Sequence, residues 1–152
     1  YNGYIKSAQK KTVELNFRNT VKYMEAEIAK CKLDRNAKAF NLPCPVPFPA
    51  NSVYQACAAI YLSWKYQVRN PLVQTAYRGN TSNQRKCPVS MQGDVRGGVR
   101  SGDGQVLGDV NIVICPRNPY CGRNSNTDGH FKVMWWWDST RTYEDSKIVK
   151  VY

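Results

Sequence analysis

Histidine is nearly missing from this chain: among 152 residues there is only His130. That excludes two-histidine acid–base catalysis and most histidine-rich metal sites. No aspartate or glutamate occurs from residue 37 to residue 80. No apolar run approaches the roughly 20 residues needed to span a bilayer, so the chain as given is expected to be soluble. The C-x₂₋₄-C spacing usual for zinc is also missing, and the closest pair, Cys115 and Cys121, has five residues between its members. Neither glycine nor proline interrupts residues 4–42, so nothing local stops a long helix there. With no initiator methionine and no signal peptide, the chain reads as a processed or truncated product.

What is present is basic and globular. A hydrophobic content of 42% argues against wholesale disorder, and the length suits one domain with a real core. The net charge of +11 is uneven: residues 1–36 hold eight bases against four acids, and residues 37–80 hold four bases and no acid. A basic first half favours nucleic acid, anionic surfaces or polyanionic glycans. The plainer alternative is a solvated surface that keeps the protein dispersed. The six cysteines, Cys31, Cys44, Cys57, Cys87, Cys115 and Cys121, suggest three disulfides and an oxidising compartment. Six cysteines allow 15 pairings, and the sequence does not choose among them. The best local guess is Cys115–Cys121, because two prolines and an asparagine bend the chain between them.

Val13, Phe17, Val21, Met24, Ile28 and Cys31 recur at the spacing of one helix face. The spacing predicts a helix over residues 1–33, about 45 Å long, with Asn36 and Pro43 as its stop. Before Val13 the pattern thins to Tyr4, Ile5 and Ala8 among polar residues, so the first third should project beyond the core. Residues 34–86 read as a connector and second helix. Prolines make 43–49 extended, and Asn51 or Ser52 caps a helix carrying Val53, Cys57, Ile60, Tyr61, Trp64 and Val68. Its alanines Ala56, Ala58 and Ala59 would let the first helix approach. Residues 87–152 change to strands and turns, with strands expected over 110–115, 130–138 and 146–152. The order predicts one α+β domain: a long helix packed on an antiparallel meander, with an extra helix between.

Chemistry-bearing constellations are sparse. A secreted basic nuclease-like enzyme would have to use His130 with Glu144 and Arg141 as acid, base and phosphate holder. No glycine-rich phosphate loop is credible around Gly97, Gly98 and Gly102, since no helix start follows. Asp94, Asp103, Asp109, Asn126 and Asp128 could ligate calcium, but the loop with its closing glutamate is missing and turn chemistry explains them equally well. No metal site is expected. In Trp135-Trp136-Trp137, a strand puts the outer two on one face and Trp136 on the other; one face should pack on the helix and the other show an aromatic to solvent or a neighbour. Lys65, Arg69 and Arg78 are the candidates for contact with DNA or another anion.

The opening residues Tyr1-Asn2-Gly3-Tyr4-Ile5-Lys6-Ser7-Ala8-Gln9-Lys10-Lys11 resemble the phrase that follows the membrane segment of type IV pilins. The periodic stretch 13–31 matches that family's amphipathic half-helix, so the resemblance covers about the first 33 residues. It implies a helix-then-sheet order with disulfides toward the C-terminus, and a structural rather than catalytic role. The subunit would wait in the inner membrane, anchored by an apolar half-helix that precedes this phrase in the family. It would then assemble with other pilin subunits into an extracellular bacterial fibre serving adhesion or motility. The family's membrane-half glutamate has no counterpart in this chain. A DNA-binding minor pilin for DNA uptake and a secretion-system pseudopilin are the related alternatives.

Overall fold

The uninterrupted first segment folds as one helix, α1 (Asn2–Leu33), in a computed structural model that describes residues 2–44, 52–72, 87, 98–101, 106–115, 121, 129–137 and 144–151. Its inner face buries Val13, Phe17, Met24 and Ile28, with Val21 and Cys31 partly buried beside them. Residues 3–8 are exposed, Tyr4 by 78%. The polar first third therefore stands clear of the core, as its sequence predicts. At the other end Asp34 N still donates to Lys30 O, and Asp34 Oδ1 accepts from Asn36 N at 2.9 Å, an Asx turn that stops the helix.

A short hairpin follows, β1 (Lys38–Ala39) paired antiparallel with β2 (Leu42–Pro43). Its two central residues, Phe40 and Asn41, have φ of 54° and 61°, the backbone of a type I′ turn. The region expected as a connector and second helix over residues 34–86 thus begins with a hairpin, and of the stretch 43–49 expected to be extended residues 45–49 lie outside the described ones. Helix α2 (Ser52–Lys65) comes next. It is buried almost all round: residues 56–63 are inaccessible, while Trp64 on its expected apolar face is 36% exposed. Val68, also assigned to that face, lies beyond the helix end. The alanines serve a different neighbour from the one expected, because α2 lies mainly along the sheet rather than along α1. Ser63 Oγ accepts from Val99 N at 3.1 Å, and Gln55 Oε1 accepts from Ile114 N at 2.9 Å.

Among the described residues the main sheet has four strands in the order β3 (Val99–Ser101), β4 (Val110–Ile114), β5 (Phe131–Trp135), β6 (Asp145–Val149). β4, β5 and β6 form the expected antiparallel meander. β3 departs from it and runs parallel to β4. Both helices pack on the face formed by Val110, Ile112, Ile114, Phe131, Val133 and Val149. The opposite face has a smaller cluster of Val113, Cys115, Cys121, Met134 and Trp136. Trp135 and Trp136 therefore do take opposite faces, and both are buried, so neither face shows them to solvent.

Disulfides join Cys31 to Cys44, Cys57 to Cys87, and Cys115 to Cys121. The cysteines pair in sequence order, and the proposed local bridge at 115–121 is among them. The first bridge closes the loop that contains the hairpin, and the third covers Trp136. Three bridges fit an oxidising compartment. Among the described residues no helix is long and apolar enough to cross a membrane.

Candidate functional site

The stripe that packs α1 on the sheet carries two polar residues, Thr20 and Glu27, and both are fully buried. Glu27 is the centre of a buried polar cluster. Phe40 N donates to its Oε1 at 3.0 Å; Tyr66 Oη and Lys30 Nζ donate to its Oε2 at 2.8 Å and 2.6 Å. One carboxylate thus ties together α1, the β1–β2 turn and the chain leaving α2. Burial pushes the Glu27 carboxyl upward, but the three donors and the Lys30 charge outweigh it and hold it below its ordinary value. Burial, reinforced by the Glu27 charge, pushes the Tyr66 and Tyr54 hydroxyls well above theirs.

Around this carboxylate the aromatic rings are mutually engaged. Tyr23 stacks on Tyr66 at 4.0 Å, Tyr61 meets Tyr66 edge-on at 6.3 Å, and Lys65 Nζ stands over the Tyr61 and Tyr66 rings at 5.4 and 5.8 Å. Such contacts order the α1–α2 junction. Lys65, a candidate anion contact, therefore already has aromatic partners. Arg69 serves the end of α2: it donates to Ser63 O at 2.6 Å, to Val68 O at 3.1 Å and to Gln67 Oε1 at 2.8 Å. Ser63 O is one of the last four carbonyls of α2, which have no partner within the helix pattern. Arg78 lies outside the described residues, so the three proposed anion contacts are not brought together among them.

The nuclease-like constellation is not assembled either. His130 precedes β5 and sits at the end of the ladder where Phe131 pairs with Val149, whereas Glu144 precedes β6 at the end where Trp135 pairs with Asp145. Six residue rises of antiparallel ladder separate the two by about 20 Å. His130 is buried, and its Nδ1 accepts from Val151 N at 3.0 Å, which fixes the neutral ring as an acceptor at that atom. Burial, with Lys150 and Lys32 nearby, pushes its pKa down. Glu144 forms a 3.8 Å ion pair with Lys10 of α1. Arg141 lies outside the described residues.

Of the calcium candidates only Asp109 is described. It is buried, takes Asn70 Nδ2 at 2.8 Å and pairs with Arg100 Nε at 3.1 Å. Gly108 next to it has φ of +85°, and a Cβ there would meet Asn70 Oδ1 at 2.2 Å, so glycine is required for the contact. This cluster clasps β3 and β4 to the chain after α2. Among the described residues no group of three His, Cys, Asp or Glu side chains is placed to hold a metal.

One open groove, of about 300 Å³, runs between α1 and the edge strand β6. Phe17 and Val21 line it together with the charged Arg18, Lys22, Glu25, Asp145 and Lys147. Nothing in it concentrates catalytic chemistry. The buried cluster at Glu27 was missed in the sequence, although the steps 13, 17, 20, 24, 27, 31 describe a stripe as well as the apolar set does. The signal was a glutamate falling on that stripe.

The described residues form an α+β domain in which the polar clusters at Glu27 and Asp109 join elements. No protein-family model matches the chain, and neither a curated protein nor a solved structure resembles it at a significant level.

Proposed function

We propose that this chain is the globular domain of a type IV pilin-like subunit, whose work is mechanical. The observation that carries the reading is α1 itself. Its later turns pack on a sheet, while residues 3–8 extend away from the domain with Tyr4 and Ile5 exposed. A free-standing domain gains nothing from those turns, whereas a helix continuing into an assembly does. The three disulfides suit a protein that works outside the reducing cytoplasm. In this reading the subunit waits in the inner membrane through a preceding apolar segment and joins other copies in an extracellular fibre. Surface filaments sheared from the cells that make the protein test it. Antibody to this domain should label the sheared filaments along their length. Label confined to the periplasm would favour a secretion pseudopilin, and label in the free culture fluid would overturn the fibre role.

A DNA-uptake pilin is the second reading, favoured by the acid-free stretch 37–80. Titration with duplex DNA should then show binding that weakens as salt rises. Absence of binding at low salt would end that reading and leave the fibre intact.

A further inference from the structure

Tyr23 of α1 and Tyr66, just past α2, lie face to face, their centroids 4.0 Å apart and their planes 9° from parallel. Ring carbons of one side chain are therefore within van der Waals reach of the other's. Tyr66 also donates its phenolic hydrogen to Glu27 Oε2 at 2.8 Å, and that buried carboxylate is held in its ionised form. Both rings are half-buried at the edge of the core rather than sealed within it, so an electron can leave them for an oxidant at the surface. Lys65 Nζ stands 5.4 and 5.8 Å from the Tyr61 and Tyr66 centroids. Its charge opposes a ring cation but not a neutral radical. Tyr61 meets Tyr66 at 6.3 Å and 76°, so it offers an edge where Tyr23 offers a face.

We propose that Tyr23 and Tyr66 form an oxidation site that closes to a carbon–carbon dityrosine link, with Glu27 as proton acceptor and a peroxide-driven one-electron oxidant as co-reactant. When an electron leaves Tyr66, its phenol becomes strongly acidic. The proton then passes along the existing hydrogen bond to Glu27 and leaves a neutral phenoxyl radical. Tyr23 gives a second electron to the oxidant and its proton to solvent. The two radicals pair to form one bond between ring carbons ortho to the hydroxyls. Each ring regains aromaticity by moving that carbon's hydrogen to its oxygen, and Glu27 releases its proton to solvent. In sum the two phenols lose two electrons and two protons, and one hydrogen peroxide becomes two waters. The link joins α1 to the chain leaving α2, and a reductant that opens disulfides leaves it closed. It stands whether or not the fibre reading holds.

Brief treatment of the dilute whole chain with hydrogen peroxide and a small haem peptide as catalyst tests it. Trypsin places the two tyrosines in separate peptides, 23–30 and 66–69, each with a single tyrosine. Mass spectrometry after disulfide reduction should find these peptides joined, lighter by two hydrogens than their sum, and dityrosine fluorescence should appear with them. Tyr23→Phe keeps the stack and should abolish the link. Urea should scatter it over other tyrosine pairs. Glu27→Gln keeps a hydrogen-bond acceptor but no base, so its link should form more slowly at neutral pH and recover as alkali ionises the phenols. Circular dichroism checks that both variants fold. A link from peptide 66–69 only to Tyr61 or to another copy, equal yield from the unfolded chain, or an unchanged rate in the Glu27 variant would each overturn the proposal.

Discussion

Glu27 illustrates what one buried charge does when every lone pair that matters is used. Removing it as Glu27→Ala would leave Tyr66 Oη and Phe40 N without their acceptor and Lys30 without its anion. Breaking a buried hydrogen-bonded pair in this way costs about 3 kcal/mol. Urea unfolding with the disulfides intact should register that loss, and Glu27→Gln, which keeps the shape, should lose less. The carboxyl is held below its ordinary value of 4.5, so its contribution is complete above that pH and declines as the pH falls through the folded-state value. His130 behaves as a base with a depressed pKa. Its folded form resists protonation, so stability is complete above the ordinary value of 6.5 and falls as the pH drops below it. Melting temperatures measured from pH 7.5 downward should show this slope near pH 6, and His130→Gln should flatten it. A slope unchanged in that variant would assign the effect to other groups.

At the scale of elements, α1 was legible because its signal is local: unbroken sequence, regular apolar spacing, and a stop at Asn36, where the structure adds the Asp34 turn. β4 and β5 were legible for a similar reason, since each is a short, mostly apolar run close to a turn, while β6 begins with polar residues at Asp145, one residue ahead of the expected strand. The β1–β2 hairpin was not. Type I′ turns usually announce themselves with asparagine followed by glycine, and here the two positions are Phe40 and Asn41. Tertiary packing compensates for the unfavourable backbone: the Phe40 ring is fully buried, edge-on to Tyr54 and Tyr61 at 6.0 and 6.2 Å, and its N–H is held by Glu27. Phe40→Ala should therefore cost about 3–5 kcal/mol in the same unfolding assay. The parallel course of β3 was equally hidden, because alternation along a strand reveals its faces and says nothing of its partner's direction. What holds β3 in place comes from afar in sequence, Ser63 on α2 and the Asp109–Arg100–Asn70 clasp. Gly108→Ala would drive a methyl into Asn70 and should lower stability by about 2 kcal/mol. Among the site candidates, the six cysteines form three disulfides and Val13, Phe17, Met24 and Ile28 are buried against the sheet. Basic residues chosen for their sequence neighbourhood, such as Arg69, proved to be engaged with their own backbone.

Over the whole molecule, two helices share one face of a sheet and three short-range disulfides fasten the segments between them. The Cys31–Cys44 bridge closes a loop of 13 residues around the hairpin. A loop of that size stabilises by about 3 kcal/mol in the chain-entropy account. Reduction should therefore lower the melting temperature strongly, and scanning calorimetry with and without a reductant would measure it. Helix α1 leaves this body with its first turns free of the core. The reading frame immediately upstream of the codon for Tyr1 tests the fibre role. A pilin-like subunit would show there a short basic leader ending in glycine, followed by about twenty apolar residues containing one glutamate. A secretory signal peptide ending in small residues at Tyr1, with no apolar half-helix between, would contradict it.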